Sequence, residues 1–374
     1  MSDTTRLFFF GTLRDPQLLE IVAGKPVETT EAWISGFETR IVGTEGFPIL
    51  VPATEDSIVK GVLVEVGPEV LERISFYEVG FELQTISVAT EDGFTETQIF
   101  APSHDTWEPR EIWSFENWKT STAPLTRAAI EEFMRLFGSR SPEKADRFYD
   151  QMETRAASKL RAQAEPSPDR FSPTMVAAPV SVAKTYQPYS EYFSVLEHDL
   201  SFPRFDGTAS QVVRRASFMG GDAVTILPFD PKAGTVLMVR QFRHGPFSRG
   251  DTNPWCVEPV AGRIDAGETP EQAAHREMLE ETGLEVANLI EIARYYPSPG
   301  AYSEFLYSYV AEADLSSMDG TFGGVAGEAE DILSHVLTLE EALSLIPSGA
   351  INTAPLIPSL QWLAANRDRF ASAD

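Results

Sequence analysis

The 374-residue chain has a single cysteine, Cys256. That excludes an intrachain disulfide and a zinc site built on cysteines, and its place beside Trp255 suits a buried core residue better than a nucleophile. Positive charge is also scarce: 30 Lys and Arg against 56 Asp and Glu leave a net charge of −26. Such a chain lacks the basic field that nucleic acid or an anionic membrane would require. An anionic substrate would have to be met locally, by a metal ion and a few arginines. No apolar run approaches the roughly 18 residues of a membrane span. Residues 1–5 offer no basic flank ahead of the short apolar run 7–10, so no signal peptide is expected and the expected compartment is the cytoplasm. What is present, 43% apolar and 23% charged residues, is ordinary for a soluble globular protein. The length favours two domains and a connector.

Residues 1–120 read as a compact α+β domain. RLFFFGT, residues 6–12, is a short aromatic strand ending in a glycine turn. Strands follow over 30–43 and 59–66, where VKGVLVEV alternates as a half-buried strand does. Pro68 opens a helix to about Tyr77, and further strands lie near 83–89 and 95–101. Residues 121–189 read as a connector. Ile130, Phe133, Met134 and Phe137 recur at helical spacing up to Gly138, and Ser141-Pro142 caps a second helix with Tyr149, Met152, Ala156 and Leu160 on one face. The proline-rich run 165–189 predicts a semi-extended linker.

In residues 190–374, strands are expected over 192–200, 211–218, 222–228 and 235–242, the last two around a turn at 230–234. The most informative stretch is 259–286, PVAGRIDAGETPEQAAHREMLEETGLEV. Thr269 with Gln272 forms a capping box, Pro270 takes the first helical position and Gly283 supplies the left-handed stop. Glu277, Glu280 and Glu281 then fall within about 100° of one another on the helix. Glu-Glu pairs usually mark a solvated face. Converging carboxylates would repel unless a divalent cation, Mg²⁺ first, sat among them with a phosphate-bearing substrate. Arg214, Arg215, Arg240 and Arg243 form the only basic cluster upstream. One or two of them, Arg243 first, are expected to hold phosphate or stack on a base. The glycine-rich acidic loop GGVAGEAEDI, 323–332, reads as a lid carrying the carboxylate that takes a proton from water. Thr338 with Glu341 caps one late helix and Pro358 starts another.

Gly262-x5-Glu268-x7-Arg276-Glu277-Met278-x-Glu280-Glu281-x-Gly283-Leu284 resembles the signature of Nudix hydrolases at every position, and chance would produce it about once in a hundred million windows. The resemblance implies an αβα sandwich, divalent metal (Mg²⁺, with Mn²⁺ able to substitute) and hydrolysis of a nucleoside diphosphate linked to another group. It implies Glu277, Glu281 and the Ala261 carbonyl as metal ligands, with Glu280 nearby, and Arg276 with Glu268 as the pair that orients them. Pro299, sixteen residues past Gly283, resembles the mark of ADP-ribose pyrophosphatases within that family, and the similarity runs along most of 190–370. It implies Glu258, Pro299 and Gly300 at the substrate, Glu328 as the base and Glu330 as a further metal contact, the last two open to exchange.

Phe10-Gly11-Thr12-Leu13, Glu78 and the following FELQTISV resemble the gamma-glutamylcyclotransferase family. That implies a turn of Gly11, Thr12 and Leu13 receiving a gamma-glutamyl group and Glu78 as general acid/base. Phe10 and Thr12 stand where that family has Tyr and Ser. The expectation is thus an α+β two-domain protein: a cyclotransferase-like mixed β-barrel or sheet, a helical connector, and a Nudix αβα sandwich that hydrolyses ADP-ribose to AMP and ribose 5-phosphate. Alternatives are another nucleoside diphosphate sugar as substrate, or a sensor that binds such a nucleotide without cleaving it. The domain order resembles that of proteins associated with tellurite resistance, and likeness to ADP-ribose hydrolases implies a homodimer.

Overall fold

The computed structural model describes residues 4–42, 47–102, 108–165, 180–325, 327 and 330–370, and the chain divides into two compact units, 1–166 and 167–374.

The first unit is built on a closed barrel. Thr5–Phe9 pairs antiparallel with Ile58–Val66 and parallel with Gly93–Pro102, and Thr30–Ser35 and Phe81–Thr90 complete the ring. Strand alternation divides the apolar residues between two faces: Phe8, Ile34, Val59, Leu63, Val88 and Ile99 share one cluster. Leu7, Phe9, Val64 and Val66 pack instead with the helices Pro16–Ala23, Pro68–Tyr77 and Ala123–Met134. The strand expected over 30–43 is two strands, broken at Gly36, whose φ of +81° suits glycine. The second of them joins a separate sheet with Pro48–Pro52 and Pro109–Ile112.

The helices expected to form a connector belong to this unit. Trp118, Ile130, Phe133, Met152 and Ala156 lie in the same core as the barrel strands. Asp15 caps Pro16–Ala23 and also receives Arg127, with Nε to Oδ1 at 2.8 Å. Arg155, 3% exposed at its side chain, is paired with Glu132 at 2.8 Å. The second helix is interrupted: Pro142–Asp146 stops before Tyr149–Ala164 begins.

The second unit begins its regular structure earlier than expected, for Ser181–Ser190 is a strand and not linker. It pairs with Ser194–Ser201, which pairs in turn with Val213–Met219. The larger sheet is centred on Ala223–Asp230, buried along its whole length between Leu306–Glu312 and its other partners. Its alternation feeds two cores. Val224 and Ile226 meet Ala273, Ala274 and Met278 of the helix Pro270–Thr282, while Leu227 and Phe229 meet Leu356, Leu360 and Leu363 of Leu356–Asn366. The sheet is therefore covered by helices on both faces, as an αβα sandwich requires.

Candidate active site

The site is assembled where Val260–Arg263, paired to the central strand, runs into the Pro270–Thr282 helix. The helix starts and stops as the sequence dictates. Thr269 and Gln272 exchange side-chain and backbone hydrogen bonds, and Gly283 takes φ +71° after the last turn. Its buried side turns Glu277 and Glu281 inward.

Arg276 organises the surroundings. It donates to Glu268 through Nε and Nη2, both at 2.9 Å, and to the Arg263 carbonyl at 2.9 Å. Its Nη1 reaches Glu277 at 2.6 Å and Glu280 at 3.0 Å, so the positive charge is held firmly, by Glu268 above all. Glu280 turns toward solvent, while Glu277 lies against Gly262, where an added Cβ would strike its carboxylate. Burial pushes the Glu277 carboxyl up to about 7 in spite of Arg276.

Glu281 is 2% exposed, and its Oε2 is buried with no hydrogen-bond partner among the described residues. Burial pushes it up to about 9, with Glu277 and Glu330 adding repulsion and Arg243 and the Ala261 backbone opposing. A buried carboxylate oxygen without a partner is strongly disfavoured unless it takes a proton or a cation. Among the described residues no group of three acidic or histidine side chains is arranged to hold a metal ion as it stands. The inward pair Glu277 and Glu281, with Glu330 close enough to act on both, nonetheless supplies hard oxygen donors of the kind a divalent cation takes. The donor set fits such an ion.

Around this pair the other expected residues are divided. Arg243 donates to Glu258 at 2.6 Å and lies within electrostatic reach of Glu281 and Glu330. Glu330 accepts from the Val325 amide at 3.3 Å, and Glu328 lies outside the described residues. Arg240 stays on Thr235–Phe242, opposite Val257. Arg214 and Arg215 belong to the other sheet: Arg214 is tied to Asp199 by two 2.8 Å bonds and lies over the Tyr186 ring, and Arg215 donates to the Arg214 carbonyl. Pro299 and Gly300 are exposed in the turn whose Ala301 carbonyl accepts from the Phe218 amide. Glu304, assigned no role from the sequence, faces Arg243 and Tyr302 and is pushed up to about 7 by burial. Its only signal was its nearness to the Pro299 turn.

In the first unit, Gly11 precedes the turn Thr12–Arg14, the Thr12 hydroxyl meets the Tyr77 hydroxyl at 3.0 Å, and Leu13 is buried. Glu78 ends the Pro68–Tyr77 helix beside them, pushed up to about 8 by burial.

Residues 219–360 match the NUDIX domain family model, and residues 7–120 match the gamma-glutamyl cyclotransferase, AIG2-like model. The chain is 35% identical over 196 residues to an ADP-ribose pyrophosphatase of Escherichia coli (strain K12), covering 52% of this chain and 93% of that one. It is 33% identical over 180 residues to the ADP-ribose pyrophosphatase of Haemophilus influenzae, covering 48% of this chain and 82% of that protein. A GDP-mannose pyrophosphatase of Pectobacterium atrosepticum is 31% identical over 186 residues, covering 50% of this chain and 94% of that protein.

Proposed function

Because the chain belongs to the Nudix family, we propose that its second unit hydrolyses ADP-ribose to AMP and ribose 5-phosphate with Mg²⁺, Mn²⁺ serving in its place. The observation that carries this reading is the inward pair of half-buried Glu277 and buried Glu281, with an unpaired Oε2 on Glu281 among the described residues. Those two carboxylates and the Ala261 carbonyl would hold the metal, with Glu330 as a further contact. When bound, the ion supplies neutralisation of the diphosphate charge and acidification of a coordinated water. The chain's own residues do the rest. Arg276, fixed by Glu268 and the Arg263 carbonyl, holds Glu277 in place. Arg243, aligned by Glu258, offers its guanidinium to a phosphate oxygen. Water attacks one phosphorus in line, the bond from that phosphorus to the bridging oxygen breaks, and the water proton goes to Glu328 or Glu330.

The GDP-mannose pyrophosphatases among the relatives favour a second reading, another nucleoside diphosphate sugar as substrate. A panel of such compounds, ADP-ribose included, incubated with the full chain and Mg²⁺ and followed by release of nucleoside monophosphate, separates them. Turnover of ADP-ribose is expected to lead, and Glu281→Gln to lower kcat about a thousandfold or more. Near wild-type turnover in Glu281→Gln at saturating Mg²⁺ would falsify the metal assignment. Tight binding without release of monophosphate would point to a sensor.

A further inference from the structure

On the strand Val260–Arg263, alternation turns Arg263 to the sheet face opposite Gly262, against which Glu277 lies. There its guanidinium carbon stands 4.3 Å from the centre of the Tyr192 ring, which belongs to the turn between Ser181–Ser190 and Ser194–Ser201. Its Nη1 is buried and has no hydrogen-bond partner among the described residues. The other arginines of the site are held differently, Arg276 by Glu268 and Arg243 by Glu258. The wall beside Arg263 is fixed. Tyr302 lies within its electrostatic reach and against Gly220, where an added Cβ would strike the Tyr302 hydroxyl. Phe218 ties the turn to Val213–Met219, donating to the Ala301 carbonyl at 2.8 Å and accepting from the Ser303 amide at 3.0 Å. Tyr302 also faces Glu304, which lies within reach of Arg243. Arg263 thus borders the candidate active site but stands on the other side of the strand from Glu277.

We infer that Arg263 is a specificity-determining residue, receiving a phosphate monoester that the substrate carries in addition to its diphosphate. The inference rests on the nucleoside diphosphate hydrolysis proposed above and names a narrower class of substrate for it. In a chain of net charge −26, carboxylates are plentiful, yet the buried Nη1 of Arg263 meets none of them among the described residues. Stacking on Tyr192 occupies the face of the guanidinium and leaves its N–H edge unsatisfied. A buried donor without an acceptor is disfavoured, so this edge is suited to an acceptor that arrives with the ligand. A neutral carbonyl would satisfy one N–H and leave the charge uncompensated. A phosphate monoester does both, since two of its oxygens match the planar fork. Arg243, within reach of Glu281 and Glu330, serves the diphosphate, and Arg263 serves a second anion. That monoester belongs either to the ribose of the nucleoside or to the group beyond the diphosphate.

The test compares kcat/KM of the full chain with Mg²⁺ for ADP-ribose, ADP-ribose 2′-phosphate and ADP-ribose 1″-phosphate. One of the phosphorylated compounds is expected to exceed ADP-ribose at least about tenfold, and which one does identifies the end that Arg263 reads. Arg263→Gln should bring that ratio to within about threefold of unity, while Arg263→Lys, which keeps the charge but not the fork, retains part of it. A ratio is independent of how much of a variant is folded. Calorimetry without metal gives a readout that needs no turnover: adenosine 2′,5′-bisphosphate against AMP, and ribose 1,5-bisphosphate against ribose 5-phosphate. The bisphosphate of one pair should bind at least about tenfold more tightly than its monophosphate, and Arg263→Gln should erase the difference. No preference for the extra phosphate in either measurement, or a preference that Arg263→Gln leaves intact, would overturn the inference. Cleavage of all three compounds at equal kcat/KM, with no calorimetric preference, would sink it and spare the hydrolase reading. A calorimetric preference lost in Arg263→Gln, in a chain that cleaves none of the three, would uphold the phosphate site and sink the hydrolase reading.

Discussion

At Gly262 the fold leaves no room for a methyl group, because the space a Cβ would take is filled by the Glu277 carboxylate. The backbone there is not in the left-handed region, so the only conflict is with the end of a flexible side chain. Gly262→Ala should therefore fold, with a melting temperature within a few degrees of wild type, yet lose about a hundredfold or more in kcat as Glu277 is displaced. A loss of fold alongside the activity would show that Gly262 serves packing instead. Sequence spacing marks this glycine but not its reason, which appears only once strand and helix meet. The resemblance implied that Arg276 and Glu268 orient the helix carboxylates, and Arg276 binds Glu277 and Glu280 as well as Glu268. Glu78 offers a residue-scale test of another kind. Burial moves it from the ordinary 4.5 to about 8, so between those values the folded state keeps a proton that the unfolded chain has lost. Its contribution to stability is then present at low pH and lost as pH rises through that window. Glu78→Gln should flatten the decline in melting temperature between about pH 5 and about pH 8, by a few degrees relative to wild type. Parallel profiles for the two proteins would show that Glu78 is not buried as the fold has it.

Among whole elements, the Pro270–Thr282 helix was legible end to end, because caps are local chemistry: Thr269, Gln272, Pro270 and Gly283 lie within a turn of the bonds they make. The destination of a helix is not local. The stripe of Ile130, Phe133, Met152 and Ala156 was readable as an apolar face, but nothing in its spacing says that the barrel of the first unit covers it. The short strand Phe322–Gly323 was equally invisible and matters to the site. It lies against the last turn of the acidic helix, where the Gly324 amide donates to the Glu280 carbonyl at 3.3 Å. A Cβ on Gly323 would meet the Glu281 carbonyl, backbone that cannot swing aside. Gly323→Ala should cost about 1–3 kcal/mol, several degrees of melting temperature, and should lower turnover with it. If melting temperature and kcat both match wild type, strand and helix are not in contact there.

For the whole molecule, length suggested two domains, and the proline-rich run 165–189 was expected to be a linker. The division itself falls at 166/167 because packing, not composition, decides where a core ends. Each unit has cores of its own, the barrel and its helices in one, the two faces of the larger sheet in the other, with no residue shared. Two such units are expected to unfold in two steps instead of one. A ligand that binds only a folded state raises the midpoint of the unit that holds it, by about 2.7 kcal/mol at a hundred times its dissociation constant. Calorimetry of the full chain should accordingly show two transitions, of which Mg²⁺ raises one and leaves the other unmoved. Glu281→Gln should abolish that response while the second transition keeps its temperature. A single transition raised by Mg²⁺ would mean that the units unfold as one body, and a Mg²⁺ shift that survives Glu281→Gln would place the ion elsewhere.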